Sequence, residues 1–331
     1  MRARIATLIL ALGALAVLLV AGSASSALAP YPSLGSKCGV FPKPGNDVAD
    51  DAPSLPDQRA WNQDISQAPV DPRSHQIIDF INSHGGDELH PDFGSPRRYG
   101  IPYAVVGKRA KRTKVKFTAY GDESDRGKYR IPLSAPVEGG ANADGDRHVI
   151  AYDKARCKLY ELYRAFPKRK QRRWNADAGV IWNLRSAGLR RDGWTSADAA
   201  GLPIFPGLVR YDEVKSGRID HAIRATFEVT RAGWIHPASH CASDETSPNA
   251  PPMGMRFRLK SGYDISGMTG DAKVIAEALK RYGFINADNG SNWYFQGASD
   301  RRWNDDNLNQ LKEIPGSAFE VVRSQADFHA C

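Results

Sequence analysis

The stretch His148 to Phe166, HVIAYDKARCKLYELYRAF, decides the fold class. It is two short runs rich in β-branched and aromatic residues, HVIAYD and KLYELYRAF, separated by turn residues, the texture of short strands. Outward from it the same texture recurs: YGIPYAVVG (99 to 107), TKVKFTAY (113 to 120), GVIWNLR (179 to 185), IDHAIRATFEVT (219 to 230), GWIHPASH (233 to 240), MGMRFRLK (253 to 260), GFINAD (283 to 288), NWYFQG (292 to 297) and AFEVVR (318 to 323). Eleven strand candidates with few helices between them predict an all-β chain, an antiparallel β-sandwich or jelly roll with a few short flanking helices.

Three segments keep a helical period. PRSHQIIDFINSHGG has a proline start, apolar Ile77, Ile78 and Ile81, and a glycine stop. GDAKVIAEALKRYG places Val274, Ile275, Ala278 and Leu279 on one stripe with Gly283 as its stop, and DDNLNQLKEIPG ends at Pro315.

The N-terminus opens with Arg2 and Arg4, continues through 18 mostly apolar residues from Ile5 to Gly22 and ends in SASSALA, the pattern of a secretory signal cleaved after Ala27. The alternative is an uncleaved anchor, since the run just reaches spanning length. Residues 28 to 58, rich in Pro, Ser, Gly and Asp, read as a spacer, and 59 to 331 as a single β-sandwich domain. The expected protein is secreted, with no stable membrane anchor after cleavage.

Four cysteines in an exported chain permit two disulfides; Cys157 with Cys241, and Cys38 with Cys331 tying the ends, is the expected pairing. The net charge of +8 is concentrated in KRAKRTKVK (Lys108 to Lys116) and PKRKQRR (Pro167 to Arg173). Outside a cell such charge faces acidic polysaccharides, wall polymers or lipid headgroups; no nucleic-acid-binding motif accompanies it.

Asn289-Gly290 lies between two strand-like runs and predicts a two-residue hairpin turn. That register sets Asn286 opposite Trp293 and Asp288 opposite Ser291, an aromatic and polar face suited to a sugar, with Asn292 and Tyr294 on the reverse face. A second hairpin, turning at Thr230 to Gly233, makes His221 and His240 diagonal neighbours able to share acid–base work. His236, four strand residues from His240, stays outside that pair unless Pro237 bends the chain back; no metal site is expected.

The segment Arg190 to Gly217, with Trp194 and Asp198, is long and strand-poor, the texture of a functional loop. Asp198, Asp212, Glu213, Asp220 and Asp288 are candidate carboxylates for glycoside hydrolysis. His221, Arg224, Tyr160, Tyr163, Asn292 and Tyr294 are candidates for lyase chemistry on an acidic sugar. The chain carries no GxSxG elbow, HExxH pair, P-loop or dinucleotide fingerprint, and no cofactor is expected.

The motifs GWTSADAAGLPIFPGLVRYDEV, HAIRATF, PPMGMRFRLK and YGFINADNGSNWYFQGASDRRWNDD resemble a group of secreted bacterial proteins. The resemblance covers about residues 148 to 322, implies one secreted body and carries no catalytic assignment. The expected function is a carbohydrate-active protein acting on an extracellular, acidic or neutral, polysaccharide as hydrolase or lyase. Its catalytic candidates are His221, His240, Asp198 and Asp288, with Trp194, Arg224, Asn286, Asn292, Trp293 and Tyr294 binding substrate. The alternatives are a non-catalytic glycan- or cell-wall-binding module and an envelope interaction protein.

Overall fold

The computed structural model describes residues 61–94, 99–185 and 189–331. The segments expected as signal peptide and spacer, and Cys38, lie outside these residues. No helix among the described residues is long and apolar enough to cross a membrane.

Each of the eleven predicted runs contains a strand. In chain order the first half holds β1 (Tyr103–Val106), β2 (Thr113–Phe117), β3 (Lys128–Tyr129), β4 (Val149–Asp153), β5 (Lys158–Tyr163), β6 (Phe166–Lys168), β7 (Arg173–Ala176) and β8 (Ala178–Asn183). The second half adds β9 (Ile223–Phe227), β10 (Gly233–Ile235), β11 (Arg256–Leu259), β12 (Phe284–Asn289), β13 (Tyr294–Phe295), β14 (Phe319–Val321) and β15 (Phe328–Ala330). The sequence pattern missed β3, β6, β7 and β15, which are two to four residues long and too short to show a period.

The strands form four sheets, ordered β1-β4-β5-β8, β3-β2-β7-β6, β13-β9-β12-β11-β14 and β10-β15. The expectation of purely antiparallel sheets is corrected in three of them, where β1 with β4, β2 with β7 and β9 with β12 run parallel. Alternation identifies a strand but not its partner, and each parallel pair is joined by a long crossover that local patterning cannot foresee. The opening stretch does fold as read: β4 and β5 pair antiparallel from Val149–Leu162 to Asp153–Lys158, turning where Asp153 Oδ1 accepts the backbone N–H groups of Ala155 and Arg156.

Helix α1 (Ser74–Ser83) buries Ile77, Ile78 and Ile81, and α4 (Gly270–Arg281) buries Ile275 and Leu279 against the same core. Three one-turn helices complete the α-helical content of the described residues: α2 (Ile204–Gly207), α3 (Tyr211–Lys215) and α5 (Asp305–Leu308). Phe227, Phe257, Phe284, Trp293 and Phe319 fill the centre of that core. Gly283 stops α4 with φ +64°, and a Cβ there would sit 1.9 Å from the Phe257 carbonyl oxygen. A Gly283→Ala variant should therefore lose about 2 kcal/mol or more, from the left-handed backbone and the clash together. Urea unfolding measures it, and an unchanged midpoint would contradict the assignment.

Cys241 pairs with Cys331, with 6.5 Å between their Cα atoms. This corrects both expected pairings. Spacing along the chain cannot rank connectivities; the antiparallel pairing of β10 with the C-terminal β15 brings Cys331 to Cys241. Cys157 is itself disulfide-bonded.

Candidate active site

The site begins with an irregularity in β12. This strand lies parallel to β9 with Ile285 beside Arg224 and Asn286 beside Ala225, and then shifts register so that Asp288, not Ala287, pairs with Thr226. In a regular strand Asp288 would share the face of Asn286. The extra residue turns Asp288 instead to the face of Arg224 and Thr226, because a bulge displaces every later side chain by one position.

Arg224 is fully buried there, its Nη2 3.1 Å from Asp198 Oδ2 and 3.4 Å from Asp288 Oδ2. Asp198 arrives from the 190–217 loop, docked by a hydrogen bond from the Ala200 N–H to the carbonyl of Ala287 at 3.0 Å. Its carboxylate accepts Arg224 Nε at 3.3 Å and the Ala200 N–H at 3.2 Å. Asp198 has no exposed side-chain surface, whereas Asp288 keeps 19% of its own open.

Burial raises both carboxyls above their ordinary value. Asp198 is nearer the guanidinium and bonded to a backbone N–H, and both contacts oppose its burial by favouring the ionised form. Burial first, and then the Asp198 charge, pushes Asp288 up to about 7.

A second pair adjoins the first. Glu138 and His148 close a Gly- and Asp-rich loop: Glu138 Oε2 accepts both the His148 backbone N–H, at 3.1 Å, and the ring Nδ1, at 2.6 Å. The other ring nitrogen lies 2.9 Å from the Ala197 carbonyl. Burial alone would lower His148, but the Glu138 charge and hydrogen bond outweigh it and raise the imidazole to about 9. In return, the imidazolium overcomes the burial of Glu138 and holds that carboxyl below its usual range. Behind both pairs the buried Glu161 accepts the N–H groups of Ile204 at 3.1 Å and Phe205 at 2.8 Å, and Trp182 Nε1 at 2.9 Å.

Glu138 also lines a cleft of about 160 Å³ together with Asp92, Phe93, Tyr99, Gln296 and Tyr294. Tyr99 is half exposed, and Tyr294 stacks on His90 with ring centroids 4.2 Å apart. Tyr163, at the end of β5, is raised by burial and by the charges of Asp146 and Asp288.

Comparison with family models, curated proteins and solved structures yields no match. The chemistry is therefore read from the side chains themselves.

Of the residues singled out in the sequence, Asp198, Arg224 and Asp288 converge. The others divide. The Asn289-Gly290 hairpin does not form, because β9 lies between β12 and β13. Asn286 is a core residue whose Nδ2 donates to the Pro252 carbonyl at 2.9 Å, and Trp293 is fully buried with Nε1 bonded to Asn82 Oδ1 at 2.8 Å. Asn292 is spent on backbone, accepting the Glu228 N–H and donating to the Ile81 carbonyl. Tyr294 reaches the cleft, and Trp194 lies half-buried beneath Arg190 and Arg191.

The hairpin that would have joined His221 to His240 is also corrected, since β10 pairs with β15 rather than β9. His221 is buried against Glu213 and Arg210, each at 3.2 Å, while His240 bonds the Ala199 carbonyl at 2.8 Å. Sequence reasoning missed Glu138, His148 and Glu161. The signal for the first two was the turn-rich ten-residue loop EGGANADGDR running into a histidine that immediately precedes a strand.

Proposed function

We propose that this chain is a secreted carbohydrate-active protein that cleaves an extracellular polysaccharide by acid–base hydrolysis, with Asp288 as proton donor and Glu138 as the carboxylate that stays ionised. One observation carries this reading: two carboxyls that both feel the charges of Arg224 and His148 are driven in opposite directions, Asp288 up to about 7 and Glu138 below its ordinary range. Such divergence divides acid from base at neutral pH. Asp198 lies near Asp288 but is sealed from solvent, so it is a positioning residue that fixes Arg224.

The cleft supports the substrate class. Tyr99 and Tyr294 offer ring faces to sugar, Asp92 and Gln296 offer hydrogen-bond partners, and the cysteine pairing and leader-like N-terminus fit an exported protein. Incubating the mature protein with a panel of neutral and acidic polysaccharides tests the proposal. New reducing ends that vanish in Glu138→Gln are expected. Unsaturated products would replace hydrolysis with elimination, and retention on a glycan without turnover would make the chain a binding module.

A further inference from the structure

A different cluster lies where the C-terminal strand meets the body. His236 follows β10, His329 sits in the middle of β15, and Asp192 comes from the loop before Trp194. One ligand atom from each of the three lies within 4.8 Å of the other two. His236 Nε2 is 2.8 Å from Asp192 Oδ1, and the His236 and His329 rings are 5.0 Å apart.

Three separate devices hold these side chains together. The β10–β15 ladder sets Trp234 opposite His329, whose ring stacks on the indole at 5.4 Å. The Cys241–Cys331 disulfide anchors the strand two residues beyond His329. On the loop side, the Gly193 N–H donates to the Ser239 carbonyl at 2.7 Å and Ser239 Oγ donates to the Trp194 carbonyl at 3.0 Å, fixing Asp192 beside His236. Among the described residues the His329 ring nitrogens make no hydrogen bond, and His236 bonds only Asp192.

We propose that Asp192, His236 and His329 bind a divalent transition-metal ion of the zinc type, which ties the C-terminal strand to the 190–194 loop. Two imidazoles and one carboxylate are a donor set that zinc accepts, and hard cations such as magnesium prefer all-oxygen sites. Zinc bonds of about 2.0–2.1 Å place tetrahedral ligand atoms roughly 3.3 Å apart, so three ligand atoms already within 4.8 Å of one another need to approach by no more than about 1.5 Å. Asp192 is 49% exposed, which leaves an entry path and a fourth position for water. The site is separate from the proposed hydrolytic centre and stands or falls without it.

Calorimetric titration of tag-free, oxidised protein with Zn²⁺ tests this. One ion per chain is expected, with a rise in the unfolding midpoint on adding Zn²⁺, since an ion bound only by the folded state stabilises it. His236→Ala and His329→Ala should each weaken binding by more than about tenfold. Asp192→Asn, at an exposed position, serves as the variant least able to disturb folding, and it too should weaken binding. No binding heat, or binding that survives all three substitutions, would overturn the proposal.

Discussion

Arg224→Met is expected to destabilise the fold by about 3–5 kcal/mol, because it removes the countercharge bonded to a carboxylate that has no exposed surface. Against a typical total of about 5–15 kcal/mol, that loss is large enough to shift an unfolding midpoint unmistakably. The reason is asymmetry. A buried ion pair contributes little over an apolar replacement of both partners, but stripping one partner leaves the other desolvated and unpaired. The double variant Arg224→Met with Asp198→Asn should therefore recover part of the loss, a coupling that a cycle of urea denaturations measures directly. A single variant within about 0.5 kcal/mol of the parent would show that the guanidinium is not what holds Asp198.

Asp288→Asn is expected to lower polysaccharide cleavage by about 10²–10⁴-fold, the usual contribution of a positioned proton donor. Stability should move the other way. Asp288 has its folded value raised from 3.8 to about 7, so the folded chain binds this proton more tightly than the unfolded chain. The stability associated with that proton is complete below about pH 4 and is lost as pH rises through about 7. The asparagine variant lacks the loss, so its stability relative to the parent should increase between pH 5 and pH 8 in paired urea titrations. Cleavage by the parent should fall as pH rises through about 7, as Asp288 gives up its proton. A variant that cleaves normally, or a relative stability that is flat with pH, would remove Asp288 from the role of acid.

Strand positions were legible because residue type and turn boundaries are local properties, and all eleven runs are short, rich in β-branched or aromatic residues and bounded by turn residues. Partners were not. The parallel pairing of β9 with β12 joins residues about sixty positions apart across α4, and nothing in FINADNGSNWY records that another strand will lie between its two halves. The hairpin reading failed at that point, and with it the placing of Asn286 and Trp293 on an open face. The carboxylates fared better: Asp198 and Asp288 were singled out for their residue type, and the fold brings both to Arg224. Glu138 and His148 escaped notice because their meaning lies in mutual contact across a loop. The His236 cluster needed the C-terminal strand, whose three residues carry no periodic signal.

The bulge in β12 adds a backbone joint between the long loop and the strand that carries Asp288. Omitting Ala287 would restore an even ladder and leave Asp288 beside Thr226, yet it would delete the carbonyl that receives the Ala200 N–H. One surplus residue therefore works as a locating pin. It helps seat the long loop at Ala200, and the same peptide sets the strand phase that aims Asp288, so one backbone joint bears on the placing of both acidic groups around Arg224.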